Sequence, residues 1–406
     1  MSKSKSIVLT EGSILQSLTK LAVPIIGTSF VQMAYGFIDM IWVGRIGSGA
    51  VAAVGTVGFF TWLANAFIMI PRIGAEVGVA QSMGRQDHDG VAEAIRHSLQ
   101  LIIVLILFYG TVIITFRQPL LGFYRLGPEI QGMANDYLLI IALGFLFFAT
   151  NPIFTAIFNG AGDSTTPFRI NAVGLVVNIV LDPILIFGLG PVPALGVSGA
   201  AIATVIAQVT ATSLFILEAR RRPELFANLK FFTKPDPIYL TKMIKMGLPM
   251  SLQSAVFTLI SMTIARIISD WGPMAIAIQR VGGQIEQISW LTAGGFQSAM
   301  SAFTGQNYGA RLGQRVYRGY FVGLGIVAAI GTFATVLLIF GAEHLFGIFI
   351  PEPEVIALGA SYLKIVGVSQ LPMAIEILTS GAFIGLGKTA PPSMVGIILN
   401  LLRIPA

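Results

Sequence analysis

The sequence predicts an all-α protein that crosses a membrane many times, and three observations support this fold class. Of the 406 residues, 55% are hydrophobic and only 11% are charged, whereas a soluble domain carries roughly 25% charged residues. Long apolar runs follow one another along the chain, and the second half repeats motifs of the first. A soluble globular enzyme is therefore almost excluded.

The apolar runs are long enough to be membrane-spanning helices. A helix needs about 20 apolar residues to cross a hydrocarbon core of about 30 Å. Such runs lie near 21–44, 50–71, 98–116, 137–158, 170–189, 196–217, 246–268, 273–304, 319–341 and 365–386, and an eleventh begins near Ser393. Strands of a membrane barrel are alternating segments of only about ten residues. We therefore expect helices alone.

An internal repeat organises these spans into two halves. At an offset of 225 residues, the first-half motifs Lys20–Pro24, Gln81–Gly84 and 160–162 match Lys245–Pro249, Gln306–Gly309 and 385–387. Each copy holds six spans, an even number, so the two copies enter the membrane in the same sense. We predict an N-terminal lobe at 1–217, an inter-lobe linker at 218–245 and a C-terminal lobe at 246–406. The repeat predicts twelve helices in all, of which the last one or two lie beyond this chain.

The distribution of basic residues predicts the orientation. Lys and Arg concentrate in the loops on the side of the N-terminus, above all in the linker with its Arg220–Arg222 run. Only Arg45, Arg117 and Arg125 fall in loops on the other side. Because basic loops stay in the cytoplasm, we expect a cytoplasmic N-terminus in a multi-pass protein of the cell (cytoplasmic) membrane.

The charge and the composition also limit the partners. The net charge of +6 reflects membrane orientation, so we expect no nucleic acid partner. The basic linker is expected to contact the headgroups of membrane lipids. The chain has no Cys and no recognisable His/Ser/Asp set, so we expect neither an enzyme nor a cofactor. We expect a monomer.

Two carboxylates inside predicted spans are the main candidates for function. Ionisable groups within a membrane are costly and usually functional. Asp39 and Asp182 lie about 8–10 Å below the outer boundary of their spans. Helical spacing adds neighbours on each face: Tyr35 and Gln32 beside Asp39, and Asn178 and Asn171 beside Asp182.

This arrangement predicts a cation site. Without a cationic partner, two carboxylates in a low dielectric cannot both stay ionised, so the pair would bind H⁺ or a metal cation such as Na⁺. The alternative is structural, with each carboxylate hydrogen-bonded to a neighbouring helix. Pro24, Gly36 and Pro183 are candidate bending points, because proline removes a backbone donor from its helix.

The C-terminal lobe does not copy this site. At the repeat offset, Asp39 aligns with Ile264. The eighth span instead carries a polar stripe, which predicts either a substrate cavity or ordinary helix packing. The candidate cavity-lining residues are Gln279, Gln284 and Glu286, together with Gln32, Met33, Tyr35 and Asn171 of the first lobe.

The motifs Lys20–Pro24, Gln81–Gly84, 160–162 and Asn178–Pro183, in two six-helix lobes, resemble the multidrug and toxic compound extrusion (MATE) family. The pairing of Asp39 with Asn178 and Asp182 is similar to its prokaryotic DinF-like branch. The resemblance implies a cation-coupled antiporter that exports amphipathic, often cationic drugs by alternating access. It also implies that Asp39, Asn178 and Asp182 form the coupling-cation site, with Asp39 as the main protonation residue.

Several alternatives stay open. Another branch of the family binds Na⁺ through acids on the seventh and tenth spans, but 246–268 contains no acid. We therefore expect H⁺ coupling, with Na⁺ at Asp39, Asn178 and Asp182 as the alternative. A lipid-linked oligosaccharide flippase has the same two-lobe architecture, but would need a more cationic cavity. An ion channel fits two unlike lobes less well.

Overall fold

The computed structural model describes residues 7–350 and 352–404, and this part of the chain contains helices and no strand. The expected all-α membrane fold is confirmed. The helices are α1 (Ile14–Gly44), α2 (Ser48–Gly84), α3 (His88–Gly122), α4 (Pro128–Gly160), α5 (Thr165–Phe187), α6 (Gly196–Arg220), α7 (Pro223–Phe226), α8 (Pro237–Ser269), α9 (Pro273–Gly309), α10 (Gly313–Phe340), α11 (Ala342–Gly347), α12 (Pro353–Gly385) and α13 (Ala390–Leu402).

Every predicted span lies on one of these helices, but most helices are longer than the apolar run. The run at 50–71, for example, belongs to α2, which continues through Pro71 to Gly84. Among the described residues, nine helices are long and apolar enough to cross a membrane. Helix α9 falls outside this set because glutamines, glycines and serines interrupt its apolar residues.

The long helices run back and forth between two faces. We call the side where α1, α3, α5, α8, α10 and α13 begin the N face, and the opposite side the far face. Several N-face helices begin with a side-chain cap, which satisfies backbone N–H groups that a helix start leaves unpaired. Asp87 accepts a hydrogen bond from the Gly90 N–H (2.8 Å), and Asp236 accepts one from the Ile238 N–H (2.9 Å).

Helix α1 packs on both halves of the molecule. Its N-face half contributes Leu18, Leu21 and Ile25 to a buried cluster that also contains Phe296 and Phe303 of α9. Its far half lies beside α5 instead. One continuous helix therefore connects the core of the C-terminal half with the N-terminal half.

The internal repeat is visible in the backbone. Gln86 (φ 58°) and Arg311 (φ 60°) are repeat mates at the offset of 225, and both adopt the left-handed conformation, which is uncommon for residues other than glycine. Gly162 and Gly387, also repeat mates, share positive φ values of 86° and 75°. The two copies therefore turn alike after corresponding helices.

The two halves meet at the N face through a pair of matching hydrogen bonds. The Gln81 amide donates to the Gly385 carbonyl (3.0 Å), and its repeat mate Gln306 donates to the Gly160 carbonyl (2.9 Å). A Cβ on Gly84 would collide with the backbone of Gln306. Within residues 7–350 and 352–404, the hydrogen bonds between the halves lie at the N face or near mid-helix.

Residues 7–12, the N-terminal strap, lie across this contact. The Ile7 N–H donates to the Gly162 carbonyl in the N-terminal half (3.1 Å). On the other side, the Leu9 carbonyl accepts from Asn307 (3.1 Å) and Arg315 (3.2 Å) of the C-terminal half. The strap therefore touches both halves.

The inter-lobe segment is docked on the N-terminal half. Helix α6 runs to Arg220 and α8 begins at Pro237, so both helices extend into the linker predicted at 218–245. Arg222 pairs with buried Asp163 (2.6 Å), and the Gln100 amide donates to the Phe231 carbonyl (2.6 Å). The segment between the halves therefore follows the N-terminal half closely.

Candidate functional site

Helix α5 carries a buried carboxylate and carboxamide one turn apart. Asp182 and Asn178 are both fully buried, and the Asn178 Nδ2 donates to the Asp182 Oδ1 at 2.9 Å. The remaining oxygens of the two side chains, Asp182 Oδ2 and Asn178 Oδ1, are buried acceptors without a hydrogen bond in the described part of the chain. Buried acceptors of this kind are rare in native proteins and call for a donor or a cation.

Helix α1 brings a second carboxylate to the same place. Asp39 lies close enough to Asp182 for the two charges to interact, and its Oδ1 is also a buried acceptor without a donor. The Tyr35 hydroxyl, one turn earlier, donates to the Gly174 carbonyl of α5 (3.3 Å) and holds the two helices together. Asp39 and Asp182 each lie five residues from the far end of their helix, which is about 8 Å.

Tyr137 of α4 belongs to this cluster, although no sequence pattern pointed to it. Its side chain is buried and lies within electrostatic reach of both Asp39 and Asp182. It stands at the start of an apolar run, where a tyrosine usually marks only the membrane–water interface. Its place beside two carboxylates on other helices could not be predicted from its own segment.

The charge of the cluster is not balanced by a basic side chain. Neither Asp39 nor Asp182 takes part in an ion pair among the described residues. Two carboxylates and one carboxamide, with three free oxygen acceptors, can hold a proton or a hard cation, which prefers oxygen ligands. The cluster can therefore gain and lose a positive charge.

The structure places the other N-half candidates around this cluster rather than in it. Gln32 is exposed and Met33 is half-buried on α1. Asn171 donates to the Pro167 carbonyl of its own helix (2.7 Å). Helix α1 is continuous through Pro24 and Gly36, and α5 is continuous through Pro183.

The candidates on α9 form a separate group. Glu286 is half-buried and accepts a hydrogen bond from Trp290 Nε1 (3.3 Å). Gln279 and Gln284 are half-buried on the same helix. Tyr362 of α12 packs against this region and lies within electrostatic reach of Glu286.

These features define a class of protein. The described chain consists of long membrane-type helices, in two repeat-related halves that meet at the N face and near mid-helix. A polar cluster lies about 8 Å from the far ends of α1 and α5. This is the architecture of a two-lobed, multi-pass membrane transporter.

Comparison with known proteins identifies the family. The MatE family model matches residues 24–184 and 249–406, so the chain belongs to the MatE family of membrane transporters. The probable multidrug resistance protein NorM of Thermotoga maritima is 28% identical over 392 residues, which cover 94% of this chain and 82% of that protein. The FAD transporter of Shewanella oneidensis is 24% identical, over 92% of this chain and 81% of that protein.

Solved structures of the same kind have the same fold. A crystal structure of MATE in complex with MaD5 superimposes with a TM-score of 0.89 at 23% identity, over 98% of this chain and 89% of that one. At this identity the comparison establishes the fold. The predicted family resemblance is confirmed.

Proposed function

We propose that this chain is a proton-coupled antiporter that exports amphipathic, often cationic compounds by alternating access. The observation that carries the proposal is the cluster of Asp39, Asp182 and Asn178, which holds three buried oxygen acceptors and, among residues 7–350 and 352–404, no basic ion-pair partner. A site of this kind attracts either a proton or a cationic substrate. The names of relatives such as the T. maritima protein support a drug as the substrate.

The orientation follows from charge. Lys and Arg concentrate at the N face, which we therefore assign to the cytoplasm in a protein of the cytoplasmic membrane. The contacts between the halves lie at that face or near mid-helix. The described conformation is then the outward-facing one, in which the carboxylate cluster lies near the open side.

The cycle has three steps in this proposal. A proton from outside binds to the carboxylate pair of Asp39 and Asp182 and removes one of its two negative charges. The cationic substrate is then held less strongly and leaves to the outside. The protonated, empty transporter then turns inward, where release of the proton restores the charge that binds the next substrate. Proton and substrate are thus coupled through competition for one site.

Two other functions make different use of the same architecture. A Na⁺-coupled exporter would use Asp39, Asn178 and Asp182 as oxygen ligands. A flippase for lipid-linked oligosaccharides would need basic groups in its cavity. Arg280 and Arg403 are the candidate basic groups, and Arg403 lies over the Phe257 ring (5.5 Å). Two arginines fall short of a strongly cationic cavity, which favours the drug exporter.

The test is dye uptake into liposomes that contain the purified protein, with a cationic fluorescent dye and separate pH and Na⁺ gradients. We expect the pH gradient alone to drive uptake, and Asp39→Asn and Asp182→Asn to abolish it. Asp136→Asn, which removes an exposed aspartate of α4, is the matched control and should transport normally. Uptake driven only by the Na⁺ gradient would show that Na⁺ rather than H⁺ is the coupling ion. Normal transport by Asp39→Asn would refute the assignment of the site.

A further inference from the structure

A second buried carboxyl lies at the contact between the two halves, far from the cluster of Asp39 and Asp182. Glu76 of α2 is 6% exposed. It stands eight residues before the N-face end of its helix, which is about 12 Å. The transport cycle described above makes no use of this carboxyl.

The repeat explains its position. At the offset of 225, the mate of Glu76 is Ser301 of α9, and the mate of Ala80 is Gly305. A Cβ on Gly305 would lie 2.8 Å from the Ala80 Cβ, so the two helices cross at this pair of mates. Glu76 and Ser301 lie one turn before that crossing, on corresponding sides. At these equivalent positions one half therefore has an acid and the other has a hydroxyl.

The groups that face Glu76 are hydroxyls. Ser298 of α9 donates to the Glu76 Oε1 at 3.1 Å across the two halves. Ser301 also faces this carboxyl. Its Oγ is buried without a hydrogen bond in the described part of the chain. The Ser301 hydroxyl thus lies beside the buried acid, within reach of its carboxyl but without a hydrogen bond of good geometry in the described part of the chain.

The surrounding packing is tight. Gly160 of α4 lies against the Glu76 backbone so closely that a Cβ there would be 2.7 Å from the Glu76 carbonyl oxygen. Because Glu76 belongs to α2 and both serines belong to α9, separation of the halves at the N face would pull the carboxyl away from the two hydroxyls. It would then expose the Glu76 carboxyl to water on that side.

Arg72, one turn earlier on α2, lies within electrostatic reach of Glu76 and offsets part of the charge of an ionised Glu76. The Arg72 side chain is exposed and forms no ion pair with Glu76 among the described residues. Residues 287–307 of α9 and 137–160 of α4 contain no Asp, Glu, Lys, Arg or His. On α8, Lys242 and Lys245 are exposed, and Glu376 of α12 stands nine residues before Gly385. Burial of an unpaired carboxylate is costly, whereas a neutral carboxyl needs only hydrogen bonds.

We infer that Glu76, Ser298 and Ser301 form a second proton-binding site, on the cytoplasmic side of the contact between the halves. When the halves part, the carboxylate of Glu76 faces water. Before they close, it takes one proton from that water, and the O–H bond formed gives the neutral carboxyl a hydrogen to donate to the hydroxyl of Ser301. On opening, that proton returns to the cytoplasm. A lower cytoplasmic pH therefore favours the closed N face, independently of Asp39 and Asp182.

The inference rests on the proposed function only in requiring that the two halves separate. Its test is a measurement of conformation that needs neither a substrate nor a gradient. The chain contains no Cys, so the exposed sites His88 and Gln314, one in each half, can each be changed to cysteine and spin-labelled. The distance between the labels, measured by pulsed electron resonance in lipid discs, reports closure of the N face. Every protein in this test, including the parent, also carries Asp39→Asn and Asp182→Asn, which remove the pH response of the other site.

We expect the long-distance population to grow as the pH rises, and Glu76→Gln to abolish this change and keep the short distance at every pH. Glu76→Asp retains a titratable group and should restore a pH response, which separates titration from loss of folding. Glu376→Gln, a change of an exposed acid on α12, should leave the pH response the same as in the parent protein. A parent without any pH response, or a Glu76→Gln variant that keeps the full response, would overturn the inference. A failure of the dye assay alone would refute the proposed transport and leave this result intact.

Discussion

The pair of glutamine hydrogen bonds at the N face gives a sharp prediction about the balance between closed and open states. Gln81 and Gln306 each donate across the two halves to the carbonyl of the last residue of a helix, Gly385 and Gly160. A carbonyl at a helix end has no donor within its own helix. In the open state, water can donate a hydrogen bond to this carbonyl. In the closed state, the glutamine amide supplies that hydrogen bond instead.

The size of the effect follows from this asymmetry. Gln306→Ala leaves the Gly160 carbonyl buried and unpaired in the closed state, which costs about 1–3 kcal/mol. The ratio of closed to open molecules should therefore fall by about 5-fold to 150-fold. Gln81→Ala should act to a similar extent through Gly385. The double variant should show nearly the sum of the two free energies if the bonds are independent.

The spin-labelled chain with labels at positions 88 and 314 provides the assay. The fraction of long distances should rise in each single variant and rise further in the double variant. Gln16→Ala, which removes an exposed glutamine of α1 at the same face, is the matched control and should leave the distances unchanged. Unaltered distances in the double variant would show that these two hydrogen bonds do not hold the N face closed.

Two further predictions concern other contacts of the two halves. Gly247 of α8 lies against the backbone of Ile70, so Gly247→Val should overpack this contact by about 1–3 kcal/mol and lower the melting temperature of the purified protein. Gly325→Val, at a helical glycine with open space around it, should lower the melting temperature far less. Equal losses in the two variants would refute the packing argument. Arg315 donates to carbonyls of the N-terminal strap, including that of Leu9. Arg315→Ala should therefore speed amide hydrogen exchange in residues 7–12. Unchanged exchange would show that other contacts hold the strap.

The sequence predicted the helices because apolar runs of about 20 residues can form little else in a membrane. It missed how far they extend. Helix α2 passes through Pro71 and continues to Gly84, since apolar content shows where a helix crosses the hydrocarbon core but not where it ends. Because the expected span ends at residue 71, Glu76 lies outside it and was not recognised as a carboxyl within a long helix.

The sequence predicts the part of the candidate site that depends on how deep each residue lies along its own span. Asp39 and Asp182 were expected at similar levels of one lobe, and the structure brings them within electrostatic reach of each other. Tyr137 was missed because its neighbourhood depends on which helices are adjacent, and periodicity along one helix cannot supply that. The assignment of a coupling role to Asp39, Asn178 and Asp182 stays a prediction, which the dye assay tests.

The repeat was read as a relation between the two halves, but not as a contact between them. Gln81 and Gln306 were matched as equivalent positions. That each of them binds the opposite half, through Gly385 and Gly160, depends on where the symmetry axis passes. The sequence motif therefore marks the contact surface, although the sequence alone does not show that equivalent residues lie close together in the fold.

The division of α1 between the two halves has a consequence for engineering. Because Leu18, Leu21 and Ile25 are packed into a core shared with Phe296 and Phe303, the boundary of the sequence repeat is not the boundary of the packing units. A chimera that exchanges halves between two relatives at the inter-lobe segment would carry a foreign α1 into that core. A junction placed after α1, with α1 taken from the donor of the C-terminal half, would preserve that core and move the break to the pairing of α1 with α5.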